Sequence, residues 1–148
     1  MKIAAAAYPI DWLEDFDAYE AKISRWVQDS EGADLLVFPE YGAMELASLG
    51  GREVAWDLES SLQEVARHAA AAGDLHARLA ARHGCHILAA SGPVFEGARP
   101  VNRAVLFGPN GRIGHQDKQI MTRFERDKLE LQTLDGQLQE RAARHSIA

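Results

Sequence analysis

Between Asp57 and Gly84, apolar side chains recur in steps of four and three: Leu58, Leu62, Val65, Ala69, Ala72, His76 and Leu79. That spacing follows the α-helical repeat and puts all seven on one face. A long helix with a single apolar stripe needs an apolar layer to lie on. The chain offers one in runs too short to be helices: Lys2–Tyr8 ended by Pro9, Leu35–Phe38 closed by Pro39, and His86–Ala90. Each reads as a buried strand. Val101–Phe107 and Gly114–Ile120 are further strand candidates, with turns at Gly92-Pro93 and Gly108-Pro109-Asn110-Gly111. Phe16, Tyr19, Ile23 and Trp26 predict an earlier helix, entered through the acidic Asp11–Asp17 and stopped near Gly32. Asp57 or Ser60 caps the long helix, Gly73-Asp74 marks a bend in it, and Gly84 ends it. The resulting order, β-α-β-α-β-β-β, predicts an α/β or α+β layered domain.

At 148 residues, 47% hydrophobic and 26% charged, the chain is sized for one domain with a real core. Its net charge is −6, and the first 110 residues carry nine basic against sixteen acidic side chains. No basic patch invites a phosphate backbone, so no nucleic-acid partner is expected. The single cysteine, Cys85, excludes an internal disulfide and a multi-cysteine metal site. No apolar run reaches membrane-spanning length, so no membrane partner is expected either. Met1–Ala7 begins like a signal peptide, but it is short and Pro9 and Asp11 follow at once. It reads as a first strand in a soluble, cytoplasmic protein. From about Asp127 the character changes. Residues 128–148 scatter leucines, glutamines and arginines around Gly136 and continue none of the strand pattern. The reading is therefore a domain over 1–127 and an atypical tail over 128–148.

Two residues stand where chemistry is possible. Glu40 follows an apolar strand and a proline, so its carboxylate emerges at a strand's carboxyl end, a common place for sites in α/β sheets. Half-enclosed there, it would be a desolvated general base; as a loop residue it would be a surface glutamate. Lys118 sits towards the end of a strand candidate, where an ammonium can stabilise an oxyanion or simply pair with Asp117. Cys85 lies between His83 and His86, but neighbours on a strand point to opposite faces, so it reads as a structural thiol. His76 and His83 are two helical turns apart, about 10 Å, too far to share a metal ion. No glycine-rich phosphate loop and no Ser/His/Asp set stands out, and no cofactor is expected.

Taken together, the strands carry a resemblance. Val37-Phe38-Pro39-Glu40 resembles the glutamate motif of the nitrilase (carbon–nitrogen hydrolase) superfamily. His86–Pro93 looks like that family's following core strand, and Val101–Phe107 with Gly108–Arg112 is similar to its next strand and hairpin. Asp117-Lys118 falls where the family places its lysine, and Met1-Lys2-Ile3 with the helix after it agrees. The resemblance covers roughly residues 1–127. It implies the amino-terminal part of an αββα sandwich, and an amidase or nitrilase type of activity on a small-molecule substrate. It also implies a Glu-Lys-Cys mechanism in which glutamate takes the thiol proton and lysine stabilises the tetrahedral intermediate. The base carries over to Glu40 and the cation to Lys118, with Glu125 near a second, supporting glutamate. The nucleophile does not carry over, because no cysteine follows Lys118. The expectations are therefore a truncated or frameshifted chain, inactive alone, that associates with itself as a homo-oligomer through uncovered sheet. The alternative is a non-catalytic remnant or binding module that keeps part of the fold.

Overall fold

The computed structural model describes residues 1–122. The elements are β1 (Ile3–Ala5), α1 (Phe16–Asp29), β2 (Leu35–Val37), a 3-10 helix (Gly42–Gly50), α2 (Arg52–Trp56), α3 (Leu58–His83), β3 (His86–Leu88), β4 (Gly92–Phe95), β5 (Pro100–Gly108) and β6 (Gly111–Asp117). Both long helices begin on aspartate caps. Asp15 accepts the N–H of Ala18 at 2.8 Å, and Asp57 accepts that of Ser60 at 2.9 Å. Gly84 ends α3 in the left-handed conformation. Gly73-Asp74 does not interrupt the helix: α3 is continuous through it, with Val65, Ala72, Leu75 and Leu79 packed in the core.

The six strands make one mixed sheet. β1, β2 and β3 are parallel, while β5 runs antiparallel to β3, β4 and β6. Gly92 and Asp117 both pair with Arg103, so β4 and β6 occupy opposite edges of β5. The Gly92-Pro93 turn expected from composition is instead the start of β4. Proline lacks an N–H, and an edge strand tolerates that. Between Leu106 and Phe107 the β5–β6 ladder shifts register, leaving Ile113 as an extra residue on β6.

One row across the sheet, Ala4–Leu36–Ile87–Phe107, faces the helices and packs against Tyr19, Ile23, Val65, Leu75 and Leu79. The next row, Ala5–Val37–Leu88–Leu106, points the other way and is at most half-buried. The described residues are thus one helical layer on one sheet, with the opposite sheet face uncovered. This mixed α/β arrangement is one sheet and one helix layer of the expected sandwich. Residues 123–148, which include Glu125 and the atypical tail, lie outside the described residues.

The 3-10 helix, which no periodicity announced, packs against α3 and reaches β4, and α2, equally unannounced, lies against the 3-10 helix and α3. Close approach at Gly92 lets the 3-10 helix in, because a Cβ there would lie 2.8 Å from the Cβ of Ala43. Gly92→Ala is therefore expected to destabilise the chain by about 1–3 kcal/mol, read as a lower urea midpoint.

Candidate active site

Pro39 stops β2 and the chain turns sharply over Glu40 and Tyr41. Tyr41 adopts a left-handed conformation with φ 57°, a strained choice for a non-glycine residue. Its N–H donates to Ser91 Oγ at 3.0 Å, and Gly42 lies against Ala90, where a Cβ would come within 2.9 Å. The turn is therefore pinned to the β3–β4 connection, and it presents Glu40 beyond the carboxyl end of β2.

Lys118 arrives from a different part of the chain. It directly follows β6, and its N–H donates to the Asn102 carbonyl at 2.8 Å. Its ammonium donates to Glu40 Oε1 at 2.8 Å and lies 5.8 Å from the centre of the Tyr41 ring. Asn102, on β5, donates from Nδ2 to the same Glu40 oxygen at 3.0 Å. These groups border a cleft of about 260 Å³ on the uncovered sheet face, floored by Leu88 and Ala104. Met121 packs against Tyr41.

The expectation of a desolvated carboxylate is not met. The Glu40 side chain is 55% exposed and that of Lys118 22%. Nor does Lys118 pair with Asp117, because Asp117 points to the other face. There it takes both Arg103 Nε at 2.6 Å and Arg103 Nη2 at 2.8 Å. Arg103 also reaches Glu96 at 2.7 Å. These charge-assisted bonds hold the Asp117 and Glu96 carboxyls below their ordinary values. Alternate residues of β5 and β6 thus carry two polar sets: Arg103–Asp117 on the helix side, and Asn102–Lys118 with Glu40 on the cleft side.

Cys85 is far from all of this. His86 pairs with Leu35, which puts Cys85 beside Asp34 at the amino end of the parallel strands. Glu40 lies beyond the opposite end, roughly 15–20 Å along an extended strand. The thiol is buried, and that burial raises its pKa and suppresses the thiolate. Asn102 was missed as a site residue, since its strand motif looks like any other and its partner Glu40 is remote in sequence.

A second polar cluster ties the β1–α1 connection to the 3-10 helix. Glu45, fully buried, accepts from the Tyr8 hydroxyl, from Lys22 Nζ at 2.7 Å and from the Asp11 N–H at 3.3 Å. No helix among the described residues is long and apolar enough to cross a membrane.

Comparison with known proteins bears on this geometry. A family model described as carbon-nitrogen hydrolase matches residues 2–137. Among solved structures, a CN-hydrolase superfamily protein from Xanthomonas campestris, with an arsenic adduct in its active site, aligns at a TM-score of 0.64. It is 18% identical, over 88% of this chain and 45% of its own. A carbon-nitrogen hydrolase from Helicobacter pylori G27 aligns at 0.59 with 12% identity, over 88% and 43%. A mutant of the amidase from Nesterenkonia sp. AN1, carrying the product of acrylamide addition at its active-site cysteine, aligns at 0.56 with 21% identity, over 90% and 49%. The chain spans under half the length of each of these structures. No curated protein matches it.

Proposed function

The chain belongs to the carbon–nitrogen hydrolase family, and from that premise we propose that Glu40 and Lys118 are the base and the oxyanion-stabilising cation of an amide or nitrile hydrolysis. The observation that carries this reading is the 2.8 Å contact between groups delivered by two distant strands onto one apolar-floored cleft. In the proposed reaction the Glu40 carboxylate takes a thiol proton and the thiolate adds to the carbon of an amide. The Lys118 ammonium faces the oxygen that gains negative charge. As the C–N bond breaks, the proton passes from Glu40 to the leaving amine. The same carboxylate then deprotonates the water that cleaves the thioester.

The thiol is the open part of the proposal. Cys85 is the chain's one cysteine and it is buried at the wrong end of the sheet. The 148-residue chain is therefore expected to turn over no amide alone, the nucleophile coming from a further polypeptide segment. The same observation favours a second reading, a non-catalytic module that keeps the cleft. A cytoplasmic location is part of this reading, and the chain's one cysteine, Cys85, is free among the described residues.

A small external thiol separates the two readings. With 2-mercaptoethanol and p-nitrophenyl acetate, the chain is expected to accelerate acyl transfer to the thiol. Glu40→Gln should remove about 10²-fold of that acceleration, and Cys85→Ala none. A rate equal to that of thiol in buffer would sink the catalytic reading and leave the binding module. A rate lost in Cys85→Ala would make Cys85 the nucleophile after all.

A further inference from the structure

The two oxygens of Glu40 are not equivalent. Oε1 accepts from Lys118 at 2.8 Å and from Asn102 at 3.0 Å, while Oε2 accepts nothing from the described residues. Asn102 is 2% exposed and touches both members of the pair, the carboxylate through its side chain and the lysine through its main-chain carbonyl. An asparagine at this buried strand position is a costly choice. Its Oδ1 finds no partner among the described residues, and a buried acceptor left unpaired destabilises the fold. Leucine, with the same branched skeleton, would avoid that penalty. Turning the amide over would aim Oδ1 at the Glu40 carboxylate and trade attraction for repulsion, so the carboxylate itself sets the amide's orientation. A group kept against its own local interest marks a demand of the site.

We propose that Asn102 is a positioning residue that assigns the proton-accepting role to Oε2 of Glu40. Two donors draw the charge and the orientation of the carboxylate onto Oε1. The side chain is long and 55% exposed, and with Lys118 as its sole anchor it would be free to rotate about that one contact. The second donor closes the triangle and leaves the other oxygen directed for proton transfer. This inference rests on the reading of Glu40 as a base.

The test uses the intact chain in the external-thiol reaction. Asn102→Leu is expected to lower the saturating rate by about 10²-fold with the KM for the acyl donor unchanged. In a Glu40→Gln background the same substitution should cost nothing further, because no base is left to position. A purely structural asparagine would instead cost the same in both backgrounds, or move KM, and either result overturns the proposal. Should Asn102→Leu fail to fold, wild type and Glu40→Ala decide by NMR. The Asn102 side-chain amide proton is expected downfield in wild type and shifted back in Glu40→Ala, and no difference between the two overturns the bond itself. Wild-type chain that fails to accelerate acyl transfer removes the base and this inference together. A wild type that accelerates, beside an unimpaired Asn102→Leu, removes the inference alone.

Discussion

At micromolar concentration the 148-residue chain is expected to sediment as a dimer or larger species, and Val37→Lys or Leu106→Lys to return it to monomer. The cause is the uncovered face of the sheet. Side chains alternate along each strand, so the strands that bury Leu36, Ile87 and Phe107 under the helices must turn Val37, Leu88 and Leu106 outward. Ile3 and Ile113, both exposed, widen the apolar surface. Covering several hundred Å² of it yields on the order of 10 kcal/mol, enough to exceed the several kcal/mol lost in restricting two bodies to one. The substitutions place a charge at the centre of that surface without entering the helix-facing core. Sedimentation equilibrium and hydrophobic-dye binding measure the outcome. A monomer that binds no dye would mean that residues outside the described ones cover the face.

Acid is the second lever. His76 is 2% exposed, stacked on Phe107 at 5.7 Å and met edge-on by Phe38. Its Nδ1 lies 2.6 Å from the Ala72 carbonyl, so that nitrogen carries the proton, and Nε2 has no partner among the described residues. Burial drives the imidazole down to about 4, against the opposing pull of the Ala72 carbonyl. The native value thus lies below the unfolded one of 6.5, and between them the unfolded chain binds more protons. The contribution is intact above pH 6.5 and is lost as pH falls towards 4, about 3 kcal/mol in all. Burial also pushes the Glu45 carboxyl up, to about 7, which works in the opposite sense over the same range. Glu45, however, has Lys22, Tyr8 and the Asp11 N–H to keep its charge, whereas among the described residues nothing supports a proton on His76 Nε2. Urea midpoints compared between pH 7 and 4.5 for wild type and His76→Leu isolate the histidine. The substituted chain is expected to lose far less stability on acidification. Parallel pH profiles would reject His76 as the source.

Much of this was legible in the sequence, for identifiable reasons. The stripe from Leu58 to Leu79 is long enough for its period to be unmistakable, and Asp57 and Gly84 carry end signals that depend on local geometry alone. The region from Gly42 to Trp56 was not readable, since a 3-10 run and a five-residue helix are too short to show a period. β4 was hidden by Gly92-Pro93, which as a dipeptide denotes a turn and only as an edge strand makes a ladder. Glu40 and Lys118 were visible through their strand-end settings and the family resemblance. Asn102 was not, because the bond that gives it meaning spans 62 residues. The pairing of Lys118 was open to error for a related reason. Whether it meets Asp117 or Glu40 depends on which face it takes, and composition does not encode a face.

That face is decided by the extra residue at Ile113. From Gly108–Gly111 the hairpin closes in one register, and beyond Ile113 it continues in the next, so that Asn102 stands opposite Lys118. Were Ile113 instead paired with Leu106 in an unbroken ladder, Asn102 would stand opposite Asp117. An aspartate would then enter the cleft beside Glu40, and a lysine would turn inward beside Arg103. Each face would hold two charges of one sign. For this chain, drawing a single uncharged isoleucine into regular pairing is electrostatically equivalent to exchanging the charges of Asp117 and Lys118.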